Sequence, residues 1–252
     1  MIPSLVLAVR FLTIVPVPGR EAEGQGALGR AACWFPLVGL LLGAALGALS
    51  RVLEFVAPPL LSAGMVVAAW TIATGGIHLD GLADCLDGLG GADRAARLAI
   101  MRDSRIGAFG ALGLILCLVL AVGALAEMPV TARWRALLLA PVVGRVAPLV
   151  IGPRFAPASP DRGAGALFLS GVPGWAGPIH VTGAIALAGW LFGTWGAAVV
   201  LGALLIALGW SAFVARRLGG ITGDVLGSGV TLAELSALAG AACLAFKGMA
   251  AA

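Results

Sequence analysis

Ile106-Gly107-Ala108-Phe109-Gly110-Ala111-Leu112-Gly113-Leu114-Ile115-Leu116-Cys117-Leu118-Val119-Leu120-Ala121-Val122-Gly123-Ala124-Leu125-Ala126 runs for 21 residues without a charge. A helix rises about 1.5 Å per residue, so a run of this length matches the roughly 30 Å hydrocarbon core of a bilayer. Six more apolar stretches lie at about 33–50, 58–76, 134–151, 178–192, 194–214 and 230–247, with Pro, Gly or charged residues in every gap. The chain of 252 residues is 60% hydrophobic and 11% charged, with a mean hydropathy of +1.05. A water-soluble domain would carry about 25% charged residues to solvate its exterior. The expected fold is therefore all-α, a polytopic membrane bundle of about seven transmembrane helices within a range of six to eight, in a single domain over residues 1–252. The stretch 178–192 is short enough to be re-entrant, and residues 2–15 are either an interfacial helix or an additional span. The abundant Gly and Ala are what close helix packing in lipid uses.

Charge fixes the expected orientation. Residues 19–32, 77–105, 152–177 and 215–229, placed on one side, carry Arg20, Arg30, Arg94, Arg97, Arg102, Arg105, Arg154, Arg162, Arg216 and Arg217. The other side receives Arg51, Arg133, Arg135 and Lys247. The positive-inside rule makes the arginine-rich side cytoplasmic. The net charge of +4 is dispersed among these loops, which argues against a nucleic-acid surface. Residues 1–18 lack the basic n-region of a cleaved signal peptide, Arg10 interrupts their apolar run, and Pro16 and Pro18 stand where small residues would be cut. Cys33, Cys85, Cys117 and Cys243 form no C-x-x-C pair and are expected to be reduced and mostly structural.

Three segments on the cytoplasmic side carry chemistry. Gly75-Gly76-Ile77-His78-Leu79-Asp80-Gly81-Leu82-Ala83-Asp84-Cys85-Leu86-Asp87-Gly88 concentrates three of the chain's 12 acidic residues. Spacings of four and three put Asp80, Asp84 and Asp87 on one helical stripe, with His78, Leu82, Leu86 and Leu89 opposite. Like charges so placed repel by about 0.2–0.5 kcal/mol per exposed pair. A hard divalent cation such as Mg²⁺, held by carboxylates together with substrate phosphates, would relieve that repulsion; a solvated helix face is the plain alternative. Gly81, Gly88, Gly90 and Gly91 would let a phosphate or a neighbouring backbone come close. In Met101-Arg102-Asp103-Ser104-Arg105, the arginines can bind phosphate while Asp103 either joins a metal or fixes a guanidinium. In Arg216-Arg217-Leu218-Gly219-Gly220-Ile221-Thr222-Gly223-Asp224, glycine N–H groups, Gly223 among them, and the Thr222 hydroxyl form a candidate phosphate cradle, and Asp224 is a further metal or base candidate. It is not a P-loop, and an ordinary turn after a membrane helix has the same composition. Arg145 sits inside an apolar run and is expected to face the bundle interior, towards an acid or a bound phosphate. His180 has no assigned role.

These blocks, in order, resemble the cobalamin synthase family, whose members are adenosylcobinamide-GDP ribazoletransferases of the corrinoid pathway. The resemblance rests on Gly75–Gly88, Ile100–Gly110 and Leu218–Gly227 with Glu234. It also takes in Phe11-Leu12-Thr13 with Pro16-Val17-Pro18, and Arg30 ahead of Phe35-Pro36-Leu37-Val38-Gly39. Two departures are Ile14, where the family often has arginine, and residues 152–177, which match no family block. The resemblance implies that a ribose hydroxyl of α-ribazole, or of its 5′-phosphate, attacks the cobinamide-side phosphorus of adenosylcobinamide-GDP. GMP leaves, and adenosylcobalamin or its 5′-phosphate is formed with Mg²⁺ as the metal. It further implies a multi-pass protein of the bacterial cytoplasmic (inner) membrane with its active site facing the cytoplasm and other corrinoid-pathway enzymes as neighbours.

Matching roles to residues makes Asp80, Asp84, Asp87 and Asp103 the catalytic carboxylates, with Asp224 joining them as metal ligands. His78, Arg102, Arg105, Arg145, Thr222 and Gly223 become substrate contacts. A phosphotransferase of the CDP-alcohol type is the nearest alternative, since Asp84-x-x-Asp87-Gly88 echoes the start of its signature, but the following Ala-Arg and the downstream aspartates are missing at their spacing. A cation-coupled transporter would instead place its acids near the midplane.

Overall fold

The computed structural model describes residues 3–158 and 164–248, and among these every regular element is helical. Arg162 of the expected charge count lies outside the described residues. In chain order the helices are α1 (Pro3–Leu12), α2 (Ala27–Ala31), α3 (Phe35–Leu53), α4 (Pro59–Ala73), α5 (Ile77–Gly88) and α6 (Arg94–Ile100). They continue as α7 (Ala108–Glu127), α8 (Val130–Ile151), α9 (Ala164–Leu169), α10 (Ala176–Phe192), α11 (Gly196–Leu218) and α12 (Gly223–Phe246).

Each of the seven apolar stretches lies mainly on one helix: α3, α4, α7, α8, α10, α11 or α12. Among the described residues, length and apolar composition alone give five helical stretches able to cross a membrane, or six if the bent pair α4–α5 counts as one, against the expected seven. Two physical reasons account for the difference. The 15 residues of α4 are too few to span by themselves. One of the five stretches, Ala176–Leu218, has 43 residues and contains both α10 and α11. A straight helix that long would reach roughly 64 Å, about twice the hydrocarbon core. Instead the chain breaks at Gly193, with φ +64° and ψ −152°, and α11 packs back on α10. Helix α1 has ten residues, too short to cross, so of the two readings for the N-terminus the interfacial helix fits.

Helix α8 is the hub, buried on nearly all sides and packed by α3, α10, α11 and α12. Its interior Pro141 and Pro148 remove N–H donors, which membrane helices tolerate when neighbours cover the freed carbonyls. The Leu137 carbonyl, four residues before Pro141, lies against Gly43 of α3. A Cβ at Gly43 would come within 2.5 Å of it, and one at Gly39 within 2.5 Å of the Pro141 carbonyl. The two helices therefore approach to a distance only glycine permits.

The four segments assigned to one side do converge. Ile221 N–H donates to Ala156 O and Ala158 N–H to Ile221 O, both at 2.9 Å. Arg94 Nε donates to Leu218 O at 2.6 Å and its Nη2 to Ala158 O at 2.8 Å, tying α6 to the end of α11. Helix α2 packs on α9. All four cysteines are free. On a cysteine-free background, a cysteine at Ser104 is expected to react with an impermeant thiol reagent from the cytoplasmic side, and one at Val56, on the α3–α4 connection, from the opposite side. Labelling of both from the same side would overturn the topology.

Candidate active site

Gly75 and Gly76, at φ +61° and +68°, adopt a left-handed conformation that costs other residues. They turn the chain 88° between α4 and α5, so the acidic helix runs across the end of the bundle. The buried face of α5 holds His78, Gly81, Leu82, Ala83, Cys85 and Gly88, and it packs chiefly on α12 and α7. At Gly81, a Cβ would sit 2.9 Å from the Asp224 carbonyl oxygen and 3.0 Å from its Cα. Of the two uses foreseen for this glycine, the close neighbour is backbone. This contact brings the stripe against the first turn of α12.

The three stripe carboxylates then part company. Asp87 turns to α7, where its Oδ2 accepts Gly107 N–H at 2.7 Å and its Oδ1 accepts Gly110 N–H at 2.8 Å. It caps the N-terminus of that helix, where backbone donors lack intrahelical partners and the dipole favours an anion. Glycine is required at both partners, since a Cβ at either would fall within 2.4 Å of the carboxylate. Asp87, expected among the metal ligands, thus has a structural part that its spacing did not announce: each of its oxygens holds the start of α7. Asp80 and Asp84 remain open. Burial, followed by the charges of Asp80, Asp224 and Asp87, pushes the Asp84 carboxyl up to about 6.

Asp103 resolves the other open choice by fixing a guanidinium. It accepts Arg105 Nη2 at 2.6 Å, Arg105 Nε at 3.0 Å and the Arg105 backbone N–H at 3.0 Å. The hydrogen bonds from Arg105 hold its carboxyl down at about 2. Arg102 and Arg105 are exposed, and with Asp80, Asp84 and Asp103 they line a polar cleft of about 680 Å³.

The glycine-rich segment is corrected as a phosphate cradle. Gly219 and Gly220 N–H both donate to Ala215 O, and Ile221 N–H to Ala156 O, so these donors close the end of α11 and a short bridge. Thr222 caps α12, accepting Val225 N–H at 3.2 Å and lying 3.3 Å from Asp224 Oδ2. Gly223 and Asp224 do reach a site, a cavity that Asp80, His78 and Arg145 also line.

Arg145 is fully buried and paired with Glu234. Its Nε and Nη2 have no hydrogen-bond partner among the described residues. Sequence reasoning noted Glu234 only as part of a resemblance and missed its pairing with Arg145, which spans 89 positions. It also gave no role to Phe11, Phe35 or Phe168, which line the same cavity.

No three His, Cys, Asp or Glu side chains among the described residues form a ready-made metal cage. The open hard-oxygen donors Asp80, Asp84 and Asp224 nevertheless suit Mg²⁺, which commonly takes one or two carboxylates and completes its shell with water and substrate phosphates.

Opposite effects are expected from the two acids. Asp87→Ala removes two charge-assisted hydrogen bonds worth about 1.5–3 kcal/mol each, and should lower Tm in detergent sharply. Asp84→Asn relieves repulsion and should match or exceed the wild-type Tm in EDTA. Because the folded Asp84 carboxyl titrates near 6, above its unfolded value near 4, the native state binds the extra proton between those pH values. Stability from this group therefore falls as pH rises from about 4 to 6. The Tm advantage of Asp84→Asn should grow over that window and then level; a pH-independent difference would refute the assignment.

The chain matches the family model described as cobalamin-5-phosphate synthase over residues 4–242. It is 37% identical to an adenosylcobinamide-GDP ribazoletransferase of Geotalea daltonii, covering 94% of this chain and 96% of the relative. A protein of the same name from Klebsiella pneumoniae subsp. pneumoniae is 40% identical over 93% and 97% of the two chains. One from Chlorobium phaeobacteroides is 34% identical over 92% and 94%. No solved structure matches. Agreement along nearly the whole chain sets aside the transporter and CDP-alcohol alternatives: this protein belongs to the cobalamin-5-phosphate synthase family.

Proposed function

We propose that this chain joins α-ribazole, or its 5′-phosphate, to adenosylcobinamide-GDP with release of GMP, in the final assembly step of cobalamin. The observation that carries the reading at the level of residues is one shared cavity. Asp80 and Asp224 line it beside Arg145, whose Nε and Nη2 are buried and unpartnered. A buried guanidinium with open donors calls for an anion, and neighbouring carboxylates call for a cation or a proton.

The reaction uses both. A ribose hydroxyl oxygen bonds to the cobinamide-side phosphorus, the bond from that phosphorus to the oxygen bridging to GMP breaks, and GMP departs with the electron pair. The hydroxyl proton passes to a carboxylate of the Asp80, Asp84 and Asp224 group. Arg145 orients phosphate oxygens from within, while Arg102 and Arg105 contact them from the polar cleft, Arg105 being aimed by Asp103. Mg²⁺ held by the open carboxylates would neutralise charge on the pyrophosphate and on the departing GMP. The arginine-rich end containing these groups is assigned to the cytoplasm of a bacterial inner membrane, where nucleotides and Mg²⁺ are available. A hydrophobic corrinoid handled by neighbouring membrane enzymes gives a reason for residence there.

Purified protein given adenosylcobinamide-GDP, α-ribazole and Mg²⁺ should release GMP, and EDTA should abolish release. No GMP under these conditions would sink the reading. Asn at Asp80, Asp84 or Asp224 should remove most activity, partly restored by higher Mg²⁺ where metal affinity is the defect. Arg145→Lys keeps the charge beside Glu234 but loses the two-pronged contact. It should therefore lower kcat/KM by about 1.5–3 kcal/mol, roughly ten- to a hundredfold, with little change in Tm. Arg145→Ala strands Glu234 and should lower both activity and Tm.

A further inference from the structure

The cavity beside Asp80, Asp224 and Arg145 has a second wall that the chemistry above does not use. It comes from other elements: Phe11 of α1, Leu28 of α2, Phe35 of α3 and Phe168 of α9. Phe11 and Phe35 are stacked, with centroids 5.8 Å apart and planes 11° apart, and Phe168 stands 6.2 Å from Phe35 at 38°. Phe35 and Phe168 are almost fully buried, so these rings face inward rather than into lipid. Two of them lie in the Phe11-Leu12-Thr13 and Phe35-Pro36-Leu37 blocks, whose catalytic use was blank. The third comes from residues 152–177, to which the sequence reading gave no role.

We propose that Phe11, Phe35 and Phe168 form the subsite for the flat, fused-ring base of the accepting nucleoside, and so determine which base the enzyme attaches. The inference rests on the transferase reading and assigns one of its two substrates to one wall. An apolar box of aromatic rings adjoining a charged wall fits a ligand with a planar apolar end and a hydroxylated end. A nucleoside whose base is a methylated benzimidazole has this shape. The corrinoid macrocycle is far larger than a nucleoside and must stay outside with only its phosphate reaching in, so this wall is left to the accepting nucleoside. With the base among the phenylalanines, the ribose hydroxyls extend towards Asp80 and Asp224, where the proton is taken. A second cavity of about 520 Å³ between α4, α7 and α12, containing Trp70, is the competing site for an aromatic base. It is lined by His78 and Glu234 but lacks Arg145, Asp80 and Asp224, and its one carboxylate, Glu234, is already paired with Arg145, so a base there would hold the hydroxyl away from the open carboxylates.

The test uses Phe→Leu at positions 11 and 168, which keeps apolar bulk and removes the flat ring, with Trp70→Leu as comparison. Each Phe variant should raise KM for α-ribazole about three- to tenfold, leaving kcat and the KM for adenosylcobinamide-GDP within twofold, while Trp70→Leu changes neither. The Phe168→Leu enzyme should also discriminate less between α-ribazole and a nucleoside bearing unsubstituted benzimidazole. Unchanged KM in both Phe variants, a rise confined to adenosylcobinamide-GDP, or a rise in Trp70→Leu alone would overturn the subsite. Calorimetric binding of α-ribazole to the wild-type and variant proteins, without the corrinoid substrate, separates the two readings. A chain that releases no GMP refutes the reaction, whereas α-ribazole affinity that is absent, or equal in wild type and variants, refutes the subsite.

Discussion

The close approach of α5 to the first turn of α12, allowed by the missing side chain at Gly81, is the constraint on which the site depends. With a Cβ there, the Asp224 backbone would have to move back from α5, widening the contact that places Asp224 and Asp80 on one cavity. The same contact explains why α5 must lie across the bundle end. Only a helix turned out of the span direction by Gly75 and Gly76 can meet a helix N-terminus side-on and still present Asp80 and Asp84 to the polar cleft. Asp87 then locks the other end of α5 by capping α7. One short acidic helix is thus held at both ends, and what was expected to be a row of equivalent ligands is two open carboxylates and one cap.

Buried charge works differently here from charge at the rim. Arg105 and Asp103 are solvated, and their pairing adds little stability but gives the guanidinium a direction. Arg145 and Glu234 are taken out of water, where breaking such a pair costs about 3–5 kcal/mol because the survivor is left uncompensated. Fixing the orientation of Arg145 in this way leaves Nε and Nη2 free to face a ligand without motion of the backbone. Preorganised donors of this kind lower a barrier because no reorganisation accompanies the developing charge.

What could be read from the chain followed from the range of each interaction. Apolar runs and arginine bias are local or additive, so α3, α7, α8 and α12, and the gathering of the arginine-rich segments at one end, were legible. The stripe on α5 was legible for the same reason. The break at Gly193 between α10 and α11 was legible as the gap between two apolar stretches, and the span count diverged at α4, whose 15 residues are too few to cross alone. Long-range partnerships were not legible. Whether Asp87 faces a metal or the N-H groups of Gly107 and Gly110, and whether Gly219 and Gly220 cradle a phosphate or end a helix, depends on neighbours that spacing does not name. A signal was present in retrospect: Gly107 and Gly110 stand at the start of a helix without a Ser, Thr, Asp or Asn cap of its own, so its cap had to come from elsewhere.

The division of the cavity between two walls suggests how a membrane fold of few charges handles two unlike substrates. Charged groups are costly among lipid-facing helices, and those lining this cavity come only from α5, the interior of α8 and the start of α12. The remaining surface of the cavity is apolar, and α1, α3 and α9 supply aromatic rings to it beside aliphatic side chains such as Leu28 of α2. An aliphatic lining would bury apolar surface equally well but would exert no preference for flatness. Rings select planar partners through their quadrupoles, so a wall required by the membrane's intolerance of charge can also read the shape of the molecule that enters.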